Sequence, residues 1–413
     1  MERRVVVTGL GAVTPIGNNV EEFWKGIKES KCGVDEITLF DTSKFKVKLA
    51  AEVKNFNVED HFDRKAAKRL DRFSHFALVA ARELMKDSKL NVEETDMTRF
   101  GVAVSSGIGG LQTIEDNKVL LEEKGPDRVS PMFIPMSISN MAAGNISIEI
   151  GAKGESFGMV TACASATHTI GECYRIIKHG YQDLMIAGGT EASITPIGIA
   201  GFTNIKALST STDKERASIP FDKERNGFVM GEGAGLILLE EYEHAKKRNA
   251  KIYAEIVGYG ATSDAYHITS PAPDGEGGAR AMKIAMEDAK ITPEQLGYIN
   301  AHGTSTPLNE KFETIAIKKA LGEEASKKVM VSSTKGNTGH LLGGAGGIEA
   351  VATIKAIEDS FVPPTIGYKV PDEDCDLDIV PNKGRKADIK YAMSDSLGFG
   401  GHNSAIIFKK WEE

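Results

Sequence analysis

Cys163 is the residue of this chain best placed to act as a nucleophile. A short apolar run over 158–160 precedes it, small residues surround it, and a helical apolar pattern follows from Ile170 to Ile177. We therefore expect Cys163 at a strand-to-helix turn, beside the free N–H groups of the first helical turn. The dipole there favours an anion, so the pattern predicts a thiol that readily loses its proton. A buried structural cysteine is the alternative reading of this residue.

Two histidines share a second pattern, because each follows a predicted strand and lies in a glycine turn. His302 is part of the segment NAHGTSTP (300–307), and His340 ends the segment KGNTGH (335–340). Neutral imidazoles in such places can donate hydrogen bonds to a carbonyl oxygen that becomes negative, which suits a thiol nucleophile. Zinc binding is the alternative role for a set of Cys and His residues. However, 139 or more residues separate Cys163 from both histidines, without short-range ligand pairs.

A third glycine-rich turn, GFGGHN, covers residues 398–403 near the end of the chain. Two backbone N–H groups near Phe399 could form an oxyanion site, and the flanking glycines would let this side chain swing. A plain turn between two sheet strands is the other reading, and the two are compatible.

The elements that must position these residues alternate between buried strands and amphipathic helices. Strands are predicted over 4–8, 100–105, 184–189, 236–239, 252–258, 298–301 and 329–333, and from 392 and 404 onward; helices are predicted over 20–28, 60–86, 240–247, 277–289, 311–321 and 347–357. The order of elements over 158–179 resembles that over 329–357. This repetition predicts two similar α/β halves, 1–250 and 251–413, with catalytic groups where their strand ends meet.

Composition narrows the classes of function. The chain has 413 residues, 41% hydrophobic and 26% charged, with a formal net charge of −8, which argues against nucleic acid as the main partner. Gly9 and Gly11 begin a dinucleotide-like turn, but Thr14 replaces the third glycine, which argues against nicotinamide binding. The four cysteines form no CxxC pair, and neither a signal peptide nor a membrane span is evident, so we expect a cytoplasmic protein.

Two further stretches suggest contacts with other proteins. The basic run over 64–69 is either a solvated helix face or a docking patch for an acidic partner. The apolar, proline-interrupted stretch over 130–145 suits a buried crossing or a subunit contact better than an exposed loop.

Taken together, the motifs resemble the β-ketoacyl-acyl-carrier-protein synthases of the thiolase superfamily, most closely the elongating type II class. The resemblance covers essentially the whole chain through motifs at 5–11, 161–165, 226–235, 302–306, 335–340 and 398–401. It implies an α/β fold of the thiolase-like, duplicated five-layer α-β-α-β-α type, and a homodimer.

The resemblance also implies a reaction. Cys163 takes an acyl chain from an acyl carrier protein, and His302 and His340 stabilise the enolate left when malonyl carrier protein loses carbon dioxide. That carbanion attacks the acyl-cysteine and gives a 3-oxoacyl chain two carbons longer. The N–H groups of Cys163 and Phe399 bind the oxyanion, while Lys335 and Glu349 support the histidines.

The remaining site residues follow from the same resemblance. Residues expected to bind the substrate are Ile108, Phe133 (from the partner subunit), Phe202, Thr304, Thr306, Gly398 and Gly400. Residues expected to dock the carrier protein are Lys65, Lys68, Arg69, Arg128 and Lys206. No metal or other cofactor is implied, since 4′-phosphopantetheine arrives on the carrier protein. The chain departs from the family's usual Gly-Asp at Asn309-Glu310, which puts the local loop in question.

Three other functions are weighed against this reading. A polyketide-type ketosynthase would use the same chemistry on other chains. A non-catalytic chain-length partner subunit typically lacks the cysteine, which is present here. A thiolase acting on coenzyme A esters would need a second catalytic cysteine near the C-terminus, and residues 398–403 contain none.

Overall fold

The computed structural model describes residues 3–412, and its strands form one ten-stranded mixed sheet and two small two-stranded sheets. The strands are β1 Val5–Val13, β2 Asp35–Glu36, β3 Leu49–Ala50, β4 Phe100–Ser105, β5 Ser156–Phe157, β6 Leu184–Glu191, β7 Gly233–Glu241, β8 Ala254–Ser263, β9 Leu296–Asn300, β10 Met330–Ser332, β11 Phe361–Val362, β12 Arg385–Lys386, β13 Tyr391–Gly398 and β14 His402–Lys410.

The large sheet is built from two runs of five strands that repeat the same pairing. Its order is β10-β9-β13-β14-β8-β1-β7-β6-β4-β5. From the centre of the sheet outward, β1 pairs antiparallel with the long strand β7 in one run. In the other run, β8 pairs antiparallel with the long strand β14. Next, β6 is antiparallel to β7 and parallel to β4. In the same way, β13 is antiparallel to β14 and parallel to β9. The two runs thus have the same topology, while the division of the chain into halves 1–250 and 251–413 stays a prediction.

Helices cover both faces of this sheet and fill the space between its two runs. They are α1 Val20–Lys28, α2 Arg64–Ala67, α3 Arg72–Ser88, α4 Leu111–Lys124, α5 Phe133–Ser137, α6 Met141–Ile150, α7 Ser165–Lys178, α8 Pro196–Asn204, α9 Tyr242–Lys247, α10 Glu276–Ala289, α11 Asn309–Leu321, α12 Glu323–Ser326, α13 Lys335–Thr338 and α14 Ala345–Glu358. No helix of the described residues is long and apolar enough to cross a membrane.

The layers follow from which helix packs on which strand. α3 lies on β1 and β7, α10 lies on β8 and β14, and α7 and α14 pack between the two runs against strands of both. This is the five-layer α-β-α-β-α thiolase-like arrangement. The largest apolar core surrounds α7 and α14, where Ile170, Ile177, Ile348 and Ile354 are fully buried.

Two predicted elements differ from the structure. The helix expected over 60–86 is two helices, because Asp71 caps α3 by accepting the Phe73 N–H and also binds the Thr113 hydroxyl at 2.6 Å. The strand expected over 158–160 is absent: β5 ends at Phe157, and residues 158–160 are irregular chain. Apolar character alone could not place that boundary, because the side chain of Val160 is 51% exposed.

Candidate active site

The turn that carries Cys163 is fixed by its own backbone and by Ser165. Ala162 has a φ of +52°, a left-handed conformation that lets Thr161 and Cys163 form a bridge across it. The Ser165 hydroxyl donates to the Ala162 carbonyl at 2.6 Å and accepts the Thr161 N–H at 2.9 Å. Helix α7 starts at Ser165, so the thiol lies beside the first turn of a 14-residue helix, as predicted.

The protonation state of Cys163 differs from the sequence-based expectation. Burial raises the pKa of this thiol to about 12, although Lys335 and the Phe399 N–H act to lower it. The rise corresponds to roughly 4 kcal/mol, whereas a helix N-terminus contributes at most about 2 kcal/mol. The prediction of a readily ionised thiol is therefore wrong for the substrate-free site, because desolvation outweighs the helix dipole.

His302 and His340 lie together, with ring centroids 5.3 Å apart and ring planes at 87°. Burial and the charge of Lys335 lower the pKa of both histidines well below the usual value, so both rings are neutral at pH 7. Nδ1 of His302 and both ring nitrogens of His340 have no hydrogen-bond partner among the described residues. The two rings are therefore available to donate to a substrate oxygen.

Lys335 and Glu349 form a buried ion pair behind the histidines. Lys335 is 1% exposed, donates to the Glu349 carboxylate and donates to the His302 carbonyl at 2.5 Å. This places a positive charge next to both imidazoles, which disfavours their protonation. The pair therefore positions His302 and keeps the histidines neutral.

One cleft brings these groups together. It is lined by Cys163, Phe202, Ala207, Phe228, Asp264, Thr269, Pro271, His302, Thr304, Thr306, Asn309, His340, Leu397, Gly398, Phe399 and Asn403. Cys163 and the two histidines share it with three phenylalanines and with the Thr304 and Thr306 hydroxyls, which lie 2.9 Å apart. The lining therefore combines apolar side chains with hydroxyl groups that can form hydrogen bonds.

The glycine turn after β13 packs directly on the Cys163 turn. A Cβ added at Gly398 would lie 2.7 Å from the Thr161 carbonyl oxygen and 3.3 Å from the Cys163 nitrogen, so a larger residue would not fit. The Phe399 N–H points to the Cys163 sulfur. The two turns thus bring the Phe399 N–H next to Cys163, and the oxyanion site formed by the N–H groups of both residues stays a prediction. Gly400 lies outside the cleft lining, with a φ of +85°.

Two further predicted substrate residues, besides Gly400, lie outside the cleft lining. Ile108 is partly buried and packs in the same apolar cluster as Cys163 and Phe202. Phe133 starts α5 and is not part of the cleft of its own chain. This position agrees with a residue expected to act on a partner subunit, a role that stays a prediction.

Asn309 and Glu310 replace the family's usual Gly-Asp without loss of a buried acid at this loop. Glu310 is fully buried, accepts the Ser305 N–H, and has its second oxygen 3.7 Å from the Arg225 guanidinium. Burial raises the pKa of Glu310 to about 7. Asn309 fills part of the cleft wall and donates to Glu313 at 2.9 Å. The longer acid therefore still holds the loop that carries Thr304 and Thr306.

The five predicted docking residues are exposed cations. None of them has a carboxylate within 4.0 Å among residues 3–412, where the ion pairs are described. They are Lys65, Lys68, Arg69, Arg128 and Lys206. Lys206 directly precedes Ala207 of the cleft lining. Unpaired cations suit an acidic partner, because no internal carboxylate competes for them.

Sequence reasoning missed the buried carboxylates that hold the site from behind. Glu191 accepts the N–H groups of Gly107 at 2.8 Å and Gly343 at 3.0 Å. Glu313 accepts the N–H groups of His302 at 2.6 Å and Gly303 at 2.9 Å. The available signal is weak: Glu313 lies on the buried face of α11, four residues before Ile317, but Asn309 and Glu310 make that face only partly apolar. In the part of the chain that the structure describes, no group of three His, Cys, Asp or Glu side chains could hold a metal ion.

Comparison with known protein families gives two matches that together cover most of the chain. The family profiles described as the N-terminal and C-terminal domains of beta-ketoacyl synthase match residues 2–245 and 253–369.

Individual relatives match over nearly their full lengths. The 3-oxoacyl-[acyl-carrier-protein] synthase 2 of Staphylococcus aureus is 55% identical over 410 residues, which are 99% of each chain. The protein of the same name from a Synechocystis species is 52% identical, covering 100% of this chain and 99% of that one.

Among solved structures, a type II PKS ketosynthase in complex with its acyl-carrier protein is 38% identical, with a TM-score of 0.92 and full coverage of both chains. A beta-ketoacyl synthase from Burkholderia phymatum is 34% identical, with a TM-score of 0.91, covering 99% of this chain and 100% of that one.

Proposed function

Because the chain belongs to the beta-ketoacyl synthase family, we propose how its own residues divide the reaction between them. The chain is a condensing acyltransferase, a 3-oxoacyl-acyl-carrier-protein synthase that elongates fatty acids. Cys163 is the nucleophile, and His302 and His340 stabilise the enolate. One observation carries this assignment: the thiol and two neutral, unpartnered imidazoles line the same cleft.

The first half of the reaction is acyl transfer to Cys163. The sulfur bonds to the thioester carbonyl carbon, the oxygen becomes negative, and the N–H groups of Cys163 and Phe399 bind it. Collapse breaks the bond to the carrier's sulfur, which leaves with the proton that the Cys163 thiol gives up. A neutral resting thiol fits this exchange, because no free thiolate is exposed to water before the substrate arrives.

The second half starts with decarboxylation of the malonyl thioester. His302 and His340 donate hydrogen bonds to its carbonyl oxygen, the bond to the carboxylate breaks, and carbon dioxide leaves an enolate. The enolate carbon then bonds to the acyl carbon on Cys163, and the Cys163 sulfur leaves and takes up a proton from solvent, which restores the thiol. The product is a 3-oxoacyl thioester that is two carbons longer.

The carrier protein delivers both substrates through its pantetheine arm. The paired hydroxyls of Thr304 and Thr306 at the cleft support a role in hydrogen-bonding that arm. The unpaired cations support docking of an acidic carrier at Lys65, Lys68, Arg69, Arg128 and Lys206. A bound metal or organic cofactor has no part in these steps, since the departing carboxylate provides the driving force.

A homodimer is proposed from an apolar surface around β5, the strand at one edge of the large sheet. Four side chains in the segments that precede and follow β5 in the chain are 42% to 79% exposed: Ile134, Ile138, Ile148 and Val160. Clustered exposed apolar residues beside an open strand edge are typical of a subunit contact. Phe133 lies next to Ile134, so the same contact would carry it toward a partner's cleft. The reducing cytoplasm is the proposed location, consistent with four free cysteines.

The nucleophile is tested by comparing wild type with Cys163→Ser and Cys173→Ser. We expect Cys163→Ser to abolish formation of 3-oxoacyl carrier protein from acyl and malonyl carrier proteins. Cys173 lies on α7, the helix that follows Cys163, and is fully buried in the apolar core, so Cys173→Ser controls for the loss of a nearby thiol that lies outside the cleft. Normal elongation by Cys163→Ser would refute the assignment.

Release of carbon dioxide is a separate readout for the second half of the reaction. Cys163→Gln is expected to decarboxylate malonyl carrier protein without condensation. His302→Ala in the same background is expected to abolish this release. Unchanged release after that substitution would remove His302 from the proposed role.

A further inference from the structure

Asp395 is a fully buried carboxyl group that the reaction above does not use. It lies on β13, is 1% exposed, and neither of its oxygens receives an N–H or O–H from any other described residue. A carboxylate without donors costs several kcal/mol in such a place. An ordinary ionised aspartate is therefore not expected at this position.

The neighbour of Asp395 is the carboxyl group of Glu313 on α11, which lies within hydrogen-bond distance. Glu313 is fully buried and already accepts three N–H groups. These donors are the His302 N–H at 2.6 Å, the Gly303 N–H at 2.9 Å and the Asn309 side-chain amide at 2.9 Å. A carboxylate accepts about four hydrogen bonds, so one acceptor position on Glu313 is left for Asp395.

The other charges that face Asp395 do not neutralise this pair. They are Lys335 on α13 and Glu349 on α14, and these two are bound to each other. Two carboxyl groups thus share a fully buried site, and the cation that faces them is bound to Glu349. In such a site one carboxyl group keeps its proton, because two adjacent negative charges are too costly.

We propose that Glu313 and Asp395 share one proton at neutral pH, with Asp395 donating to the Glu313 carboxylate, and that this makes Asp395 a positioning residue for His302. The pair connects β13, which ends at the Phe399 turn, with the backbone of the turn that carries His302. The electrostatics agree, since burial and the charge of Glu313 raise the pKa of Asp395 well above its usual value. The positioning role rests on the proposed function of His302, whereas the shared proton does not.

The proton is tested with Asp395→Asn, which keeps the shape and supplies a permanent N–H donor. In wild type, the native state keeps a proton that the unfolded chain loses near pH 4. The native state therefore binds more protons, and this group makes stability fall as pH rises. We expect the Tm of D395N minus that of wild type to increase steadily from pH 5 to pH 9. A difference that is flat over this range would overturn the proposal.

The matched control is Asp222→Asn. Asp222 is also fully buried, but Arg216 binds it at 2.8 Å and hydrogen bonds help to lower its pKa to about 2. Native and unfolded Asp222 are both ionised from pH 5 to pH 9, so D222N should lower the Tm by a constant amount. Infrared difference spectra give a second test. Wild type minus D395N should contain the carbonyl band of a protonated carboxyl group, and absence of that band would contradict the shared proton.

The positioning role needs an activity readout. D395N should keep its condensation rate within about threefold of wild type, whereas Asp395→Leu, which cannot donate, should lose tenfold or more. Equal rates for the two variants would overturn the positioning role. Failure of wild type to condense would instead refute the proposed function, and the Tm and infrared tests of the proton would still stand.

Discussion

At the scale of single residues, the least expected property is the neutral thiol of Cys163. Burial and the helix N-terminus act in opposite directions on its pKa, and burial is the larger effect. The sequence indicates the helix start but gives no measure of desolvation, because that depends on residues distant in the chain. A thiol of this kind reacts when substrate binding and proton transfer occur together.

This balance predicts how Cys163 is alkylated. A pKa of about 12 means that the thiolate fraction increases about tenfold with each pH unit below that value. We expect the iodoacetamide labelling rate of Cys163, followed by peptide mass spectrometry, to increase steadily from pH 7 to pH 10. Prior incubation with acyl carrier protein should block labelling. A rate that levels off near pH 7 would show an activated thiolate instead.

The neutral histidines predict the acid limit of decarboxylation. Because burial and Lys335 lower the pKa of His302 and His340 well below the usual value, both rings stay neutral under mildly acidic conditions. Carbon dioxide release by Cys163→Gln should therefore be constant from pH 8 to below pH 6.5. A loss of half the rate near pH 6.5 would mean that a histidine titrates normally.

The Lys335–Glu349 pair predicts an asymmetric effect on stability. Lys335→Met leaves Glu349 as an uncompensated buried charge, so we expect the free energy of unfolding to fall by about 3–5 kcal/mol. The double variant Lys335→Met/Glu349→Leu should recover most of this loss, while activity stays absent. Urea denaturation of the single and double variants measures their free energies of unfolding. A double variant no more stable than the single one would contradict this account.

At the scale of elements, the sequence predicts most helices and strands but not where chain direction changes locally. The bounds of α1 and β4 agree fully with prediction, because turn and capping residues bracket clear apolar patterns. The predicted helix over 60–86 fails at Asp71, whose partner Thr113 is 42 residues away. A capping residue held by such a distant contact has no local signature.

The short basic helix α2 and its flank predict the behaviour of carrier-protein docking. Lys65→Glu combined with Arg69→Glu should raise the KM for acyl carrier protein about tenfold or more, and the effect should shrink at high salt. The kcat should be unchanged. The charge-matched control is Lys383→Glu combined with Lys386→Glu, two exposed lysines outside the docking set. A control variant with the same loss would indicate a general charge effect.

At the scale of the whole molecule, the exposed apolar residues near β5 predict a dimer. Ile134→Asp should lower the sedimentation coefficient to that of a monomer, because it places a charge in the proposed contact. The control is Val92→Asp, an isolated residue that is 40% exposed in the loop after α3. A wild-type protein that sediments as a monomer at micromolar concentration would refute the contact.

The site as a whole shows what sequence motifs can and cannot identify. Cys163, His302 and His340 stand in recognisable segments, and the structure brings them to one cleft. Glu313 and Asp395 stand in ordinary helix and strand segments, and only folding brings them behind His302. Residues that touch substrate thus leave local patterns, whereas residues that support them through burial do not.

The most direct test of the central claim is the location of the acyl group. Wild-type protein incubated with acyl carrier protein, without malonyl carrier protein, should gain the mass of one acyl chain. Peptide mapping should place that chain on Cys163, and subsequent malonyl carrier protein should remove it as 3-oxoacyl product. An acyl group on Cys32, Cys173 or Cys375, or no acyl-enzyme at all, would contradict the account.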